Sequence, residues 1–504
     1  MAGRLARGDP LVNVQLQVLG YALRAVADEM GAALIRSAFS ANIKERRDCS
    51  TAVFDAAGRM VAQAEHIPVH LGAMPASVAA VIERDPRQGE VWILNDPYAG
   101  GTHLPDITLV SATELGYVAT RAHHADVGGP TPGSMPAGSR TLADEGVVIP
   151  PRKLGLMAIE LIVSEMRNPT ERRGDLKAQL AAQWVGVRRI SELCARRGPD
   201  EVAAAMDELL AYSERRVRAG IASLPDGRYE ATERLETVDG ELELCVAATI
   251  DGDELELDFT GTAPQHDGNL NCPLAVTTSA CLFVVRALTD PDVPASAGAL
   301  RPVTVRVPEG CLVNARPPAA VAAGNVETSS RIVDLLFRAF GQAVPVPAQG
   351  QGTMNNVILG NERFTYYETI GGGQGACPDA DGPSGVHVAM SNTLSTPTEA
   401  LELAYPLRVE RHALRLGSGG AGIYRGGEGV VRELRVLERA RLSLLSQRRR
   451  IAPAGAAGGG EGTPGRNLVN GEELPPFASR DLEPGDVVTI ETPGGGGYGS
   501  AYSV

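Results

Sequence analysis

Between residues 11 and 38 the apolar positions Val18, Leu19, Leu23, Val26, Met30 and Leu34 recur every three or four residues, which predicts one long amphipathic helix. The period then shortens. "STAVFDAAGRMVAQA" reads as a hairpin, two short strands around a D-x-x-G turn. "LGAMPASVAAVIER" predicts a second helix and "VWILND" a buried strand, followed by a glycine-rich turn and two more strands in "ITLVSA" and "GYVATRAHHADVGG". Residues 155–222 return to helical spacing, with Pro199 dividing two long helices at a position that suits a helix start.

At "PDGRYEATERLE" the texture changes to strand-like alternation, continued in "ELELCVAATI" and "ELELDFTG". A boundary is therefore placed near 225. "AVTTSACLFVVRAL" and "NVETSSRIVDLLFRAF" are helices of this second region, and from about 345 glycine and short strands dominate. The runs "IGGGQGA", "LGSGGAGIYRGGEG", "AGGGEG" and "TPGGGGYG" read as loops, irregular in spacing and so not repeats. The expectation is a multi-domain α+β chain: an α/β region over 1–225, a mixed middle region over 226–405 and a β-rich region over 406–504.

Composition narrows the classes of function. A chain of 504 residues exceeds one core, and 43% hydrophobic with 21% charged residues describes a globular protein. A formal charge of −14 opposes nucleic acid and anionic membrane, and "SQRRRI" (446–451) reads as a solvated or salt-bridged face. Seven scattered cysteines, without C-x-x-C, point to reduced thiols and a cytoplasmic location. "MAGRLARGDPLVNVQLQ" lacks the apolar core of a signal peptide, and no apolar run is long enough for a membrane span.

Candidate chemistry is concentrated early. Five of the eight histidines, His66, His70, His103, His123 and His124, lie between residues 66 and 124, interspersed with Asp96, Asp106 and Asp126. Two imidazoles and a carboxylate suit Zn, Mn or Fe, and three protein ligands leave coordination positions for water or substrate. His103 and Asp106 flank Pro105 in "GGTHLPDITLV", so a turn at a strand mouth, not a helix, must bring them together. In "RAHHAD" neighbouring histidines face opposite sides of a strand, so only one of them is expected as a direct ligand, and parity alone leaves His123 and His124 open. Pro68 breaks any helical pairing of His66 and His70, which are expected to line the site wall.

The chain has no G-x-x-x-x-G-K-[ST] loop, and none of its three lysines follows one, so a Walker-type ATP site is excluded. There is no G-x-S-x-G elbow. "IGGGQGA" resembles a phosphate cradle only loosely, Ser384 near His387 is a weak nucleophile candidate, and "DFTGTAPQHDGNLN" is either a pocket wall or a loop.

Taken together, "SAFSANIKERRDCSTAVFDAAGRMVAQAEHIPVHLGAMPASV", "NDPYAGGTHLPDITLV", "HHADVGG", "DFTGTAPQ", "NARPPAAVAAGNVETSSRIVD", "QGTMNN", "LGSGGAGIYRGGEGVVREL" and "TPGGGGYG" closely resemble the hydantoinase B/oxoprolinase family, in its order, from about residue 35 onward. The resemblance implies a B-type subunit of an ATP-dependent cyclic-amide hydrolase. A separate A-type ATPase subunit would bind ATP and phosphorylate the substrate oxygen, in a hetero-oligomer, while this chain supplies a divalent metal, Mn or Zn or Fe. Relatives in acetone and acetophenone carboxylases make a ketone carboxylase subunit the alternative; a stand-alone metal hydrolase or oxygenase and a non-catalytic scaffold complete the range. By the resemblance the ligands are His103, Asp106 and one of His123 or His124. Asp96, Asp126 and Glu145 are placed around the site, Asp126 or Glu145 as proton acceptor. In place of the "VHTHMTNTR" of many members this chain reads "VHVAMSNTL", with Ala389 and Leu394 where a histidine and an arginine are expected, and Cys49 also departs from the pattern.

Overall fold

The first amphipathic stretch folds as helix α1 (Val14–Ser37), burying Leu19, Leu23, Val26, Met30 and Leu34, in a computed structural model that describes residues 14–500. A short helix α2 (Ala41–Lys44) follows. The strands β1 (Cys49–Asp55), β2 (Met60–Glu65), β3 (Val91–Leu94), β4 (Asp106–Ala112), β5 (Gly116–His123) and β6 (Arg152–Lys153) form one antiparallel sheet in the order β2-β1-β5-β4-β3-β6. The β1–β2 hairpin turns where read: the Asp55 carboxylate accepts from the backbone N–H groups of Ala57 and Arg59, and Gly58 takes φ 76°.

Two-residue alternation gives this sheet two differently used faces. Cys49 and Val53 of β1 and Val118 and Ala122 of β5 pack on α1 and on the helices α5 (Pro169–Arg197) and α6 (Pro199–Ile221). The intervening residues Ala52, Phe54, Val110 and Ala119 pack against α3 (Met74–Ile82). Helix α4 (Leu156–Ser164) closes the β3–β4 end, where Ile159 and Ile162 cluster with Ile93, Ile107 and Leu109.

The texture change near 225 coincides with the end of α6 and the start of a four-stranded sheet. Its strands are β7 (Gly227–Glu236), β8 (Glu241–Asp251), β9 (Glu254–Asp258) and β10 (Val303–Arg306), ordered β10-β9-β8-β7. Strands β9 and β10 are parallel, and their long connection carries α7 (Leu274–Thr289). Helix α8 (Ser329–Phe340) packs beside α7 in the largest core.

The remaining strands are β11 (Asn356–Gly360), β12 (Thr365–Glu368), β13 (Leu407–Arg415), β14 (Gly429–Val436), β15 (Ala440–Leu445), β16 (Arg466–Val469), β17 (Glu472–Leu474), β18 (Phe477–Leu482) and β19 (Val487–Glu491), with α9 (Thr398–Ala404) before β13. They build two sheets, β12-β11-β15-β18 and β13-β14-β19-β16-β17. The first joins strands from both sides of the boundary read at 405. The architecture is α+β.

The glycine runs are not simple turns. They lie side by side and bond backbone to backbone: Gly373 N–H donates to the Pro493 carbonyl, Gly495 to Gly427, Gly420 to Gly495 and Gly497 to Gly460, at 2.8–3.0 Å. A Cβ on Gly373 would sit 2.0 Å from the Gly427 oxygen and 2.2 Å from the Gly495 nitrogen. Glycine is needed there for close approach of backbones, and "IGGGQGA" is packed among them, not arranged as an open phosphate cradle.

Candidate metal centre

The β4–β5 register sets the centre. Asp106 opens β4 directly opposite His123, the last residue of β5, so both side chains project from the same face. It is the face without the long helices. There Arg121 bonds Thr108 and the Ser77 hydroxyl of α3, and Ser50 of β1 meets His70. His103 arrives from the turn before β4, where the Asp106 N–H donates to the His103 carbonyl at 3.1 Å. Gly100 permits this turn: it has φ 90°, and a Cβ on it would lie 2.4 Å from the Ala76 backbone.

His103 Nε2 lies 3.1 Å from His123 Nδ1. Asp106 Oδ1 lies 3.8 Å from His103 Nε2 and 3.5 Å from His123 Nδ1. Three atoms so spaced lie on a circle of radius about 2.0 Å, the bond length of a divalent metal to imidazole nitrogen and carboxylate oxygen. Among the described residues this trio is the group of histidine, cysteine and acidic side chains spaced for one ion. Asp106 Oδ1 is buried without a hydrogen-bond partner, and so are His103 Nδ1, His123 Nε2 and His70 Nε2. A buried orphan polar group costs about 1–3 kcal/mol, and Asp106 Oδ1, the one of these atoms that lies on the circle, is the oxygen a cation there would satisfy.

The electrostatics favour the ligating protonation states. Burial, against the pull of Asp106, brings His103 down to about 3, leaving a neutral imidazole with a free lone pair. Burial works to raise Asp106, but the attraction of the surrounding His103, His70 and His123 outweighs it, and its carboxyl is held well below the usual range. Thr102 Oγ1 donates to Asp106 Oδ2, and His70 Nε2 stands 3.4 Å from that oxygen. The cavity among these groups is small, about 10 Å³.

His124 is turned the other way. Alternation carries it to the helical face, where Nε2 lies 2.9 Å from Gln179 Oε1 of α5. The structure thus brings His123, and not His124, to His103 and Asp106. Asp126 and Glu145 are also elsewhere, and the role of proton acceptor does not fit their positions. The Asp126 carboxylate clamps a loop, accepting from the N–H groups of Gly128, Gly133 and Arg167 and from the Arg167 guanidinium. Glu145 accepts from Ser139 and from the backbone N–H groups of Val321 and Ala322. Asp96 caps a short turn through the Tyr98 N–H. His70 lines the cavity; His66 lies instead against Gly31 of α1.

Several cavity residues carry no local sequence signal. Asp48, in "KERRDCS", supplies the second carboxylate of the wall and a carbonyl that accepts from the His123 N–H at 3.1 Å. Burial chiefly, and Asp106 also, push its pKa up against His123, His70 and Arg46. Tyr367 of β12 stacks on the His123 ring, centroids 4.5 Å apart and planes 11° apart. The buried Arg46 guanidinium lies 5.2 Å from the Tyr367 ring and bonds Thr369 and Thr393. The "VHVAMSNTL" segment is thereby tied to the site: Leu394 N–H donates to the Arg46 carbonyl, and His387 bonds Ser391 and Thr393. The remaining wall comes from Ile67, Val69, Asn325, Val326 and Met354.

A family model described as hydantoinase B/oxoprolinase matches residues 12–501. The chain is 38% identical to 5-oxoprolinase 1 of Arabidopsis thaliana over 97% of its own length, but spans only 42% of that protein. It is 32% identical to a protein of Pseudomonas sp. strain NS671 assigned as the B-type subunit of a D-/L-hydantoinase, covering 98% of this chain and 91% of that one. Among solved structures, an ATP-dependent caprolactamase from Pseudomonas jessenii superposes with a TM-score of 0.90 at 30% identity, covering 97% and 91% of the two chains. An acetone carboxylase superposes at 0.87 with 18% identity, covering 96% and 75%, a likeness of fold. No helix among the described residues is long and apolar enough to cross a membrane.

Proposed function

The chain belongs to the hydantoinase B/oxoprolinase family, and from that premise we propose that it is the B-type subunit of an ATP-dependent cyclic-amide hydrolase, holding a divalent metal on His103, Asp106 and His123. The observation that carries this reading is the convergence of those three ligand atoms in a buried cavity. An A-type ATPase subunit is the proposed partner: it binds ATP and phosphorylates the amide oxygen, which makes a resonance-deactivated carbonyl reactive.

His103 offers a neutral imidazole because burial disfavours its charged form. Asp106, its carboxyl held well below the usual range, brings the negative charge and accepts a hydrogen bond from Thr102. Tyr367, stacked on His123 and braced by Arg46, fixes the plane of that ring. When bound there, a divalent metal supplies Lewis acidity and a more acidic water. Asp48 is the wall carboxylate placed to hold a proton, and complete burial of the cluster keeps bulk water out.

The test is reconstitution with an A-type ATPase subunit from the same genome, assayed with cyclic amides such as 5-oxoproline, hydantoin and caprolactam. The expected result is ATP consumption coupled to ring opening, lost on chelation and in His103→Leu. Turnover of a ketone with bicarbonate, and none of cyclic amides, would make it a carboxylase subunit and overturn the proposal.

A further inference from the structure

Two stretches with no part in the proposed ligand set, "DGNLNCP" and "AAGNVETSS", meet beside the metal cavity, and the second reaches its wall. Residues Gly324–Thr328 form a π-helical turn just before α8, a wide turn that is frequent at functional sites. The 269–272 segment pins it. Gly324 N–H donates to the Asn269 carbonyl at 2.9 Å, Thr328 Oγ1 donates to the Leu270 carbonyl at 2.6 Å, and the Cys272 thiol lies 3.6 Å from the Gly324 carbonyl oxygen. A Cβ on Gly324 would lie 1.8 Å from the Asn271 carbonyl oxygen, so no larger residue seats the turn there. So held, the turn places Asn325 and Val326 on the wall of the cavity that holds His103, Asp106 and His123.

Asn325 is 2% exposed, and its carboxamide oxygen has no hydrogen-bond partner. A buried amide oxygen without a partner is costly, and the turn that presents it is anchored on both sides of residue 325. Resting on the metal reading above, we infer that the Asn325 carboxamide oxygen accepts a hydrogen bond from the reacting water or hydroxide held in this cavity, and so orients it. Asn325 is therefore a catalytic residue that is not a metal ligand. An amide takes no proton at neutral pH; its contribution is orientation, and misplacement of a reacting atom costs about 100-fold in rate.

Asn325→Leu removes the acceptor while keeping the branching and heavy-atom count of the side chain, and Asn325→Ser retains a shorter polar group. Both are made in the full chain, with thermal unfolding to verify folding. Three readouts follow: bound metal by elemental analysis, the visible absorption of the Co(II)-loaded chain, and turnover with the A-type subunit. The expected result is metal content equal to the parent, a shifted Co(II) spectrum, and kcat lower by about 100-fold in Asn325→Leu with a smaller loss in Asn325→Ser. Loss of metal to the extent seen in His103→Leu would make Asn325 a ligand and overturn the inference. So would an unchanged Co(II) spectrum with kcat within about twofold of the parent. If the parent complex turns over no cyclic amide, the hydrolase reading fails alone, and the Co(II) spectrum still decides the role of Asn325.

Discussion

Adjacent histidines on opposite faces of one strand allow a test in which each variant is the control for the other. His123→Leu and His124→Leu are equal in chemistry and one residue apart. His123 Nδ1 is one of three atoms on the circle that fits an ion, whereas His124 Nε2 is engaged with Gln179 on the helical face. Structural zinc sites bind with about 10–16 kcal/mol spread over four ligands, so one ligand is worth about 3 kcal/mol, or about 100-fold in Kd. His123→Leu is expected to weaken metal binding by that factor or more. His124→Leu leaves Gln179 Oε1 without its partner and is expected to lower stability by about 1–3 kcal/mol with metal affinity unchanged. Chelator competition monitored by elemental analysis measures the first quantity and urea unfolding the second. Metal retained in His123→Leu and lost in His124→Leu would refute the assignment of faces and the site built on it.

Two further predictions concern the framework. Burial opposes the charge of Glu233, but Arg331, Arg448 and Arg338 prevail and its pKa falls to about 2; being depressed, it contributes stability that is complete above the unfolded value near 4.5 and is lost as pH falls through about 2. Glu233→Gln should therefore cost about 3 kcal/mol at pH 7 and progressively less between pH 4.5 and 2; a variant with the parent's acid limb in urea unfolding would contradict this. Gly373→Ala inserts a methyl 2.0 Å from the Gly427 oxygen and should destabilise by about 3 kcal/mol or more, read as a lower urea midpoint, whereas Gly471→Ala, with no neighbour within 4 Å but φ 84°, should cost less; equal midpoints would show that the glycine runs do not need close packing.

The α+β class was legible because its signals are local. The 3.6 spacing of Leu19, Leu23, Val26 and Met30 and the turn at Asp55–Gly58 each depend on neighbours a few residues away. The glycine runs are loops as read, but their packing backbone to backbone was not legible, for a physical reason. A glycine that allows a turn and a glycine that allows two backbones to touch look alike in sequence, and only the second needs partners far along the chain, such as Gly427 and Gly495 for Gly373. Glycine marks the absence of a Cβ; whether the space goes to an unusual φ or to another chain segment is decided by tertiary structure.

The site divides along the same line. His103, Asp106 and the histidine pair stood out because metal-ligating residue types crowd into a short stretch, and strand parity correctly required that only one of the pair face the cavity. Parity has no absolute phase within a single strand, however. It acquires one from the neighbour: once Asp106 pairs with His123 across β4–β5, every side chain of β5 is assigned to a face, Arg121 and His123 to one and Thr120 and Ala122 to the other. The resemblance placed Asp126 and Glu145 around the site, yet beyond His123 the chain leaves the sheet, and their carboxylates are taken up by backbone N–H groups of loops. Asp48, Asn325 and Tyr367 come from three distant segments that adjoin only when the first sheet meets the π-turn and β12. A ligand set can be guessed from local spacing because one turn and one strand pair suffice to assemble it; the groups that orient, stack and exclude water cannot, because each is delivered by a different part of the fold.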